Sequence, residues 1–519
     1  MKKAFNTTGT CIPSMHYMVD IKDKLDNIEN MIDKGNYFLI NRPRQYGKTT
    51  TIYLLKNKLK SKYLVLSCSF EGLGSETFKD EKTFSNRIIK LMAKSIKLTN
   101  KDIASRLMEL SKEVNDLADL SDMITDFIEE VDQEVVLFID EVDKASNNQM
   151  FLNFLGVLRS KFLLRQQEED YTFHSVILAG VYDIKNLKLK LRPNEEIKLN
   201  SPWNIAVDFN LDMSFNKKEI ESMLIEYCRE NKLSMDTDTL SKELYYYTNG
   251  YPFLVSRLCQ IIDENILDNT KSAWDEYAIQ RAVKYILREK NTLFDDLIKN
   301  LENNSELYNL VRKIVLDGYR ISFNRANSII DLGFVCGIFT EEDYVVKLDN
   351  RIYEQFIYDY LISKIEVKSE QMSMYNYKNN FIEGKKLNLN KVIEKFQQFM
   401  KEQYSFIDSK FIEREGRLLF LAFLKPIING VGFDFKEVQV SQEKRLDVVI
   451  TYNKEKYIIE LKIWRGEKYH EEGIKQLVDY LDIHGLDKGY MVVYNFNKSK
   501  EYKKENIIVD GKEIFIVYV

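Results

Sequence analysis

The run Arg42-Pro43-Arg44-Gln45-Tyr46-Gly47-Lys48-Thr49-Thr50 sets a glycine, a lysine and two hydroxyls just ahead of a stretch with helical spacing. That set suits a polyphosphate. Backbone N–H groups at a helix start attract anions, Gly47 permits close approach, Lys48 can reach the β and γ phosphates, and the Thr49 hydroxyl can ligate Mg²⁺. Arg42 stands where the usual pattern has its first glycine, and an ordinary basic turn ahead of a helix is the competing reading. ATP hydrolysis also needs one carboxylate for Mg²⁺ and another to polarise the attacking water. Asp140 and Glu141 close the apolar run Val135-Val136-Leu137-Phe138-Ile139 and fit these roles, Asp140 on the metal side and Glu141 as general base. A buried strand that merely ends in solvated acids would read the same. Ala179-Gly180-Val181-Tyr182-Asp183 closes another strand from which a γ-phosphate could be sensed, and Arg192 is a candidate arginine finger across a subunit interface.

A second set of charges lies near the C-terminus. Phosphodiester cleavage needs Mg²⁺ held by acids and a group that delivers water, and Asp447 with Glu460-Leu461-Lys462 can supply these from two strands. Alternation puts Glu460 and Lys462 on one face of their strand, with Ile459, Leu461 and Ile463 on the other. The triplet acid-x-Lys is common and recurs at Asp20, Asp183 and Glu196. Only at Glu460 does it sit inside an apolar strand, Tyr457 to Trp464, where burying charges costs on the order of several kcal/mol unless they are paired or bind a metal. A half-buried Glu460–Lys462 salt bridge is the alternative.

These residues must be positioned by regular elements. From Asp20 to Lys34 the apolar residues Ile21, Leu25, Ile28, Met31 and Ile32 predict an amphipathic helix, with Gly35 as its stop. The strand Tyr37–Asn41, the phosphate-binding loop and a helix follow in the order such a unit requires. Further strands at Tyr63–Cys68, Val135–Ile139 and Ser175–Ala179, separated by helical stretches, predict a parallel sheet covered on both faces. Phe215 to Ile266 reads as wholly helical around Gly250-Tyr251-Pro252. Two helical stretches, a hairpin (Phe334 to Phe339, Tyr344 to Leu348) and a last helix between Ser305 and Ile365 suit a winged helix. Beyond a polar stretch come the strands Arg445–Tyr452 and Tyr457–Trp464, a helix near Glu472–Leu481, and the strand Gly489–Tyr494.

A length of 519 residues, 45% hydrophobic and 30% charged, is too much for one core and implies roughly three or four domains. The 75 basic and 80 acidic residues leave a net charge of −5, which argues against coating nucleic acid by bulk charge. Residues 391–519 hold 22 basic and 21 acidic side chains, so any nucleic acid there must be held by a small groove and metal ions. Five scattered cysteines and four histidines give neither a disulfide framework nor a zinc site. No apolar run approaches the roughly 18 residues needed to span a bilayer, and the start lacks a signal-peptide core, so the expectation is a cytoplasmic protein without a membrane partner.

The stretch from Phe5-Asn6-Thr7-Thr8-Gly9 through His16-Tyr17 to the Arg-Pro-Arg that precedes Gly47-Lys48-Thr49 resembles the AAA-like ATPases of bacteria, as do Ser201-Pro202-Trp203-Asn204-Ile205 and Gly250-Tyr251-Pro252-Phe253-Leu254. The resemblance implies ATP and Mg²⁺ as ligands, a helical lid, a winged helix and a switch more than a fast metabolic enzyme. Asp447, Glu460 and Lys462, followed by Gln476 and Tyr480, resemble the PD-(D/E)xK nuclease superfamily, although Leu446 replaces the proline of its name. That resemblance implies Mg²⁺ on Asp447 and Glu460, water oriented by Lys462, support from Gln476, and a further acid from an upstream helix, assigned to Glu415 ahead of Glu413. The expected fold class is α/β. It comprises a P-loop NTPase core (1–210), helical lid (211–275), winged helix (276–365), linker (366–390) and smaller α/β nuclease-like domain (391–519). The expected function is an ATP-dependent switch for a nuclease acting on DNA ahead of RNA, with a homo-oligomer as one means of strengthening weak binding. A signalling or scaffold ATPase with a degenerate nuclease fold, and a winged-helix DNA-binding regulator, are the alternatives.

Overall fold

Four apolar runs become β1 (Phe38–Asn41), β2 (Leu64–Ser69), β3 (Val135–Asp140) and β4 (Ser175–Gly180), all parallel, in the spatial order β1-β4-β3-β2. The computed structural model describes residues 3–145, 148–181, 203–267, 272–317, 319–368, 381–383, 386–403, 413–428, 432–435, 439–441, 444–445, 448–452, 455–495, 497 and 500–519. The chain divides into two units, Met1–Tyr308 with Ile321–Glu354, and Asn309–Arg320 with Gln355–Val519.

In the first unit β3 and β4 are apolar on both faces because helices cover both sides of the sheet. Leu39, Leu66, Leu137, Ile139 and Leu178 meet residues of the helices Glu81–Ile96, Leu117–Glu130 and Gln149–Gln166. The alternate residues Phe38, Ile40, Val136, Phe138 and Ile177 meet α1 (Lys22–Asp33) and α2 (Lys48–Leu59). Val207 adds a single parallel bridge to Phe38 on the outer side of β1, its N–H donating to the Tyr37 carbonyl at 2.9 Å. Because the strands run the same way, the loop after β1 and the acids after β3 emerge at one edge, the usual place for a ligand in such sheets. Asp80, Asn100 and Asp116 cap three covering helices by accepting from the amide three residues on, each cap contributing about 1 kcal/mol.

The expected all-helical stretch is the helices Lys217–Asn231, Thr237–Thr248 and Pro252–Ile261, the last continuing into a π-helical turn, Ile262–Ile266. Gly250 has φ +71°, and a Cβ there would collide with the Phe215 backbone, whose N–H donates to the Gly250 carbonyl at 2.7 Å. Pro252 opens the next helix at its first position, where its missing N–H has no partner to lose. Further on, the hairpin is β5 (Phe339–Glu342) and β6 (Val345–Leu348), so its first strand begins later than the expected Phe334. Phe334 instead ends the helix Ser328–Val335, which Asn327 caps through two amides. Gly333 of that helix lies against the Phe339 ring, and Gly337, at φ +70°, makes the turn into β5.

The helix Arg351–Lys368, whose residues from Gln355 on belong to the second unit, is followed there by a short hairpin, β7 (Ile382–Glu383) and β8 (Lys386–Leu387). A six-stranded mixed sheet forms from β9 (Gly432–Phe435), β12 (Val448–Tyr452), β13 (Glu455–Ile463), β14 (Lys488–Tyr494), β15 (Lys504–Val509) and β16 (Lys512–Tyr518). Its order is β15-β16-β14-β13-β12-β9, while β10 (Gln439–Ser441) and β11 (Lys444–Arg445) pair separately. Strands β13, β14 and β16 are parallel to one another, and the crossover between β13 and β14 is the helix Glu467–Ile483. Leu477 and Leu481 of that helix cover Ile458, Met491, Val493 and Ile516. Among the described residues, no helix is long and apolar enough to cross a membrane.

Candidate functional site

The loop after β1 turns into α2 at Gly47, whose φ of 78° is left-handed and whose absent Cβ would meet nothing within 4 Å. Backbone amides can therefore approach a phosphate from that side. Lys48 is only 8% exposed and donates to the carbonyls of Arg42 at 2.8 Å and Pro43 at 2.9 Å, which puts its ammonium at the centre of the loop. Burial pushes its pKa down, against the pull of the Asp143, Glu141 and Asp140 charges. The Thr49 hydroxyl donates to Asp140 Oδ2 at 3.2 Å, and Asp140 Oδ1 accepts from the Glu141 amide at 2.9 Å. Thr50 accepts from the Cys11 amide at 3.1 Å and so holds the N-terminal segment on α2.

Both expected acids titrate above the ordinary carboxylate range. Burial is the first cause for Asp140, opposed by the hydrogen bonds from the Glu141 amide and Thr49; for Glu141 it is burial, then the charges of Asp143 and Asp140. Glu141 also holds φ 57°, uncommon for a side chain of its size, where β3 breaks into the turn Val142–Lys144. Three acids beside one buried lysine make a site that a cation would relieve, and Thr49 with Asp140 presents hard oxygens from two sides. Among the described residues, no three His, Cys, Asp or Glu side chains gather closely enough to hold a metal alone. A phosphate site needs no such cage, because Mg²⁺ there shares its ligands with phosphate and water.

The other loop residues are held by protein. Arg42 lies over the Phe209 ring at 5.1 Å and donates to the carbonyls of Asn41 and Leu211. Arg44 pairs with Asp296 at 2.9 Å, Gln45 donates to Thr292 at 3.1 Å, and the Tyr251 hydroxyl donates to the Arg44 carbonyl at 2.6 Å. Tyr46 meets Tyr251 edge to face at 4.8 Å, and a Cβ on Gly337 would strike Pro43. Of the nine expected nucleotide-binding positions, 42–50, Gly47, Lys48 and Thr49 lie at the turn into α2 beside Asp140, residues 42–46 contact neighbouring elements, and Thr50 holds the N-terminal segment.

In the second unit Glu460 is 1% exposed and accepts an ion pair from Lys462 Nζ at 2.8 Å. Their neighbours across β14 are Met491 and Val493. The helix Glu467–Ile483 lies over this face, with Gly473 against the Lys462 stem and Gln476 three residues further on. Tyr469 stands 5.8 Å from the Lys462 ammonium. Asp447 lies outside the described residues, as do Tyr182, Asp183 and Arg192. Glu415 is in the helix Glu413–Ile428, whose Gly416 carbonyl accepts from the Tyr494 hydroxyl at 2.6 Å; its own side chain is outside the description.

A loop entering a helix from the first strand of a parallel sheet, with a strand-end acid hydrogen-bonded to the loop threonine, defines a P-loop NTPase fold. Residues 10–359 match the AAA-like domain family, and the chain belongs to it. Residues 429–506 match the PD-(D/E)XK nuclease superfamily. No curated protein matches. Among solved structures, the Walker-type ATPase of Pyrococcus abyssi is 13% identical with a TM-score of 0.46, over 68% of this chain and 99% of that one. The Aeropyrum pernix ORC2 protein is 12% identical with a TM-score of 0.42, over 70% and 98%. The Thermotoga maritima RuvB Holliday junction branch migration motor is 16% identical with a TM-score of 0.33, over 65% and 94%.

Sequence reasoning missed Asp143, the third acid of Asp140-Glu141-Val142-Asp143, whose Oδ1 accepts from the Val181 amide at 2.6 Å. The signal was its spacing, which returns a side chain to the strand end after one tight turn. Gly473 was also missed; a lone glycine inside a predicted helix marks a close approach.

Proposed function

We propose that the protein binds and hydrolyses ATP with Mg²⁺ and that its nucleotide state controls a Mg²⁺-dependent nuclease in the C-terminal unit, acting on DNA ahead of RNA in the cytoplasm. The observation that carries the first half is the Thr49–Asp140 hydrogen bond beside a buried Lys48. Lys48 binds the β and γ phosphates, Thr49 and Asp140 hold the metal and its waters, and Glu141, kept basic but raised by burial, orients and deprotonates the attacking water. Bound Mg²⁺ supplies charge neutralisation of the transferring phosphoryl group.

For the second half, the support is the sequence match together with the placement of Glu460 and Lys462 side by side under a helix. Asp447 is proposed as the second metal ligand, in keeping with the superfamily match over residues 429–506. Glu415 is proposed as a further ligand and Gln476 as a support. Residues 276–365 are proposed as a winged helix.

The test is purified full-length protein with ATP, Mg²⁺ and labelled DNA or RNA. ATP turnover lost in Lys48→Ala, and cleavage lost in Asp447→Ala, are expected; wild-type protein that cuts nothing, with Asp447→Ala identical to it, sinks the nuclease half. The Glu460–Lys462 ion pair specifically favours one other reading, a degenerate nuclease fold that only binds a partner. Under it, partner binding is Mg²⁺-independent and survives Glu460→Ala.

A further inference from the structure

The phosphate loop and the acid turn are joined through one peptide unit at the end of β4. The Gly180 carbonyl accepts from the Arg42 amide at 3.1 Å, and the next N–H, that of Val181, donates to Asp143 Oδ1 at 2.6 Å. Both groups belong to a single planar trans peptide, whose oxygen and hydrogen point in opposite directions. Its oxygen side therefore fixes the entrance of the phosphate loop and its hydrogen side fixes the turn that carries Glu141. Strand order explains the arrangement, since β4 lies between β1 and β3 and its last residue, Gly180, is level with Asn41 of β1. The fit is close: a Cβ on Gly180 would clash with Asp143 Oδ1 and lie 2.8 Å from Val142 Cγ2.

We propose that Asp143 is a positioning residue for ATP hydrolysis, clamping the Glu141 turn to the Gly180–Val181 peptide and so fixing its distance from the phosphate loop. The inference rests on the ATPase reading above. Asp143 touches neither phosphate nor water in this role; it acts through the backbone. A displacement of about 1 Å in a reacting group can lower turnover by about a hundredfold, so a side chain that sets this distance is felt in kcat while ATP affinity, which depends on Lys48 and the loop amides, is preserved.

The test separates geometry from charge in the full-length protein. Asp143→Asn keeps an oxygen acceptor at the same reach and removes the charge; Asp143→Glu keeps the charge and moves the acceptor outward by one methylene. Asp143→Asn is expected to hold kcat within about threefold of wild type, and Asp143→Glu to lose about tenfold or more, with ATP Kd within about threefold in both. Gly180→Ala, which displaces the carboxylate without altering it, is expected to behave as Asp143→Glu. The reverse ranking, or equal turnover in Asp143→Asn and Asp143→Glu, overturns the inference, since either would give the role to charge or to neither property. Wild-type protein that hydrolyses no ATP overturns the ATPase reading and this role together, whereas normal wild-type turnover with an indifferent Asp143→Glu overturns this role alone.

Discussion

Lys48 and Lys462 are both largely buried lysines beside carboxylates, yet their surroundings differ in kind. Lys48 is held by two loop carbonyls at a strand-to-helix junction, and the acids nearest it in charge, Asp143, Glu141 and Asp140, follow another strand. Lys462 sits within β13, two residues from the buried carboxylate it pairs with. In the first unit burial lowers the lysine and raises the acids Asp140 and Glu141, so the fold carries an electrostatic cost that a metal and a polyanion can relieve. In the second, the ion pair offsets the burial of Glu460 within the fold itself. The first site therefore leaves a charge imbalance that a ligand can relieve, whereas in the second the buried carboxylate already has a partner within the fold.

The largest effect should come from Lys48→Ala. Removing the buried ammonium is expected to lower ATP turnover by about a thousandfold, in line with the loss of one well-placed group for a developing charge. Because the folded state disfavours that charge, thermal stability without nucleotide should stay within about 1 kcal/mol of wild type. A strongly lowered melting temperature in calorimetry would erase the contrast drawn above.

Lys462→Met is the matching experiment. It takes away the ammonium 2.8 Å from a carboxylate that is 1% exposed, and breaking such a pair typically costs about 3–5 kcal/mol. Cleavage and stability should fall together. The double variant Glu460→Gln/Lys462→Met should regain most of the stability, because a buried pair replaced as a whole is often neutral, while nuclease activity stays lost. If the double variant is as unstable as the single one, Lys462 packs rather than pairs, and denaturant titration of the full chain reads the difference.

How much of this contrast could be read from sequence depends on how local each signal is. Gly47-Lys48-Thr49 and the strand-ending Asp140 carry their meaning within a few residues, and the parallel sheet followed from runs such as Val135–Ile139. The mid-strand position of Glu460 was legible for the same reason, since alternation needs only neighbours. Arg42 was not, because its guanidinium is directed by carbonyls near residues 209 and 211, far along the chain. Nor was Asp143, whose amide partner is 38 residues away. The hairpin strand placed at Phe334 failed because an apolar run of that length suits a helix end as well as a strand, and Asn327, which caps the helix, decided the matter.

Gly250→Ala probes the helical segment behind the loop, where the Tyr251 hydroxyl donates to the Arg44 carbonyl. A left-handed φ with the Phe215 backbone in the way should destabilise the first unit by about 2–3 kcal/mol, combining backbone strain with a steric shift. ATP affinity should weaken as well, since the loop's outer support moves. The second unit should unfold as before. If the melting transition is unchanged, the backbone there relaxes and this segment is not a rigid seat for the loop.

The smallest effect tests whether raised acids are special to the phosphate site or general to the first unit. Asp349 ends the hairpin, where Asn249 binds its backbone carbonyl at 2.9 Å and Asn350 donates to its carboxylate at 2.9 Å. Burial, with the charge of Asp212 adding to it against the Asn350 hydrogen bond, pushes its pKa up to about 7. A carboxyl whose pKa is higher folded than unfolded takes up a proton on folding, so its contribution is full below about pH 4 and is lost as pH rises toward 7. Asp349→Asn should flatten the stability profile across that window and be more stable than wild type at pH 8, by about 1–2 kcal/mol after allowing for partial exposure. Urea titrations at pH 5 and pH 8 measure it. An unchanged slope between the two would show that the hairpin end leaves Asp349 in the ordinary carboxylate range, and would sharpen the contrast with Asp140 and Glu141 at the strand end.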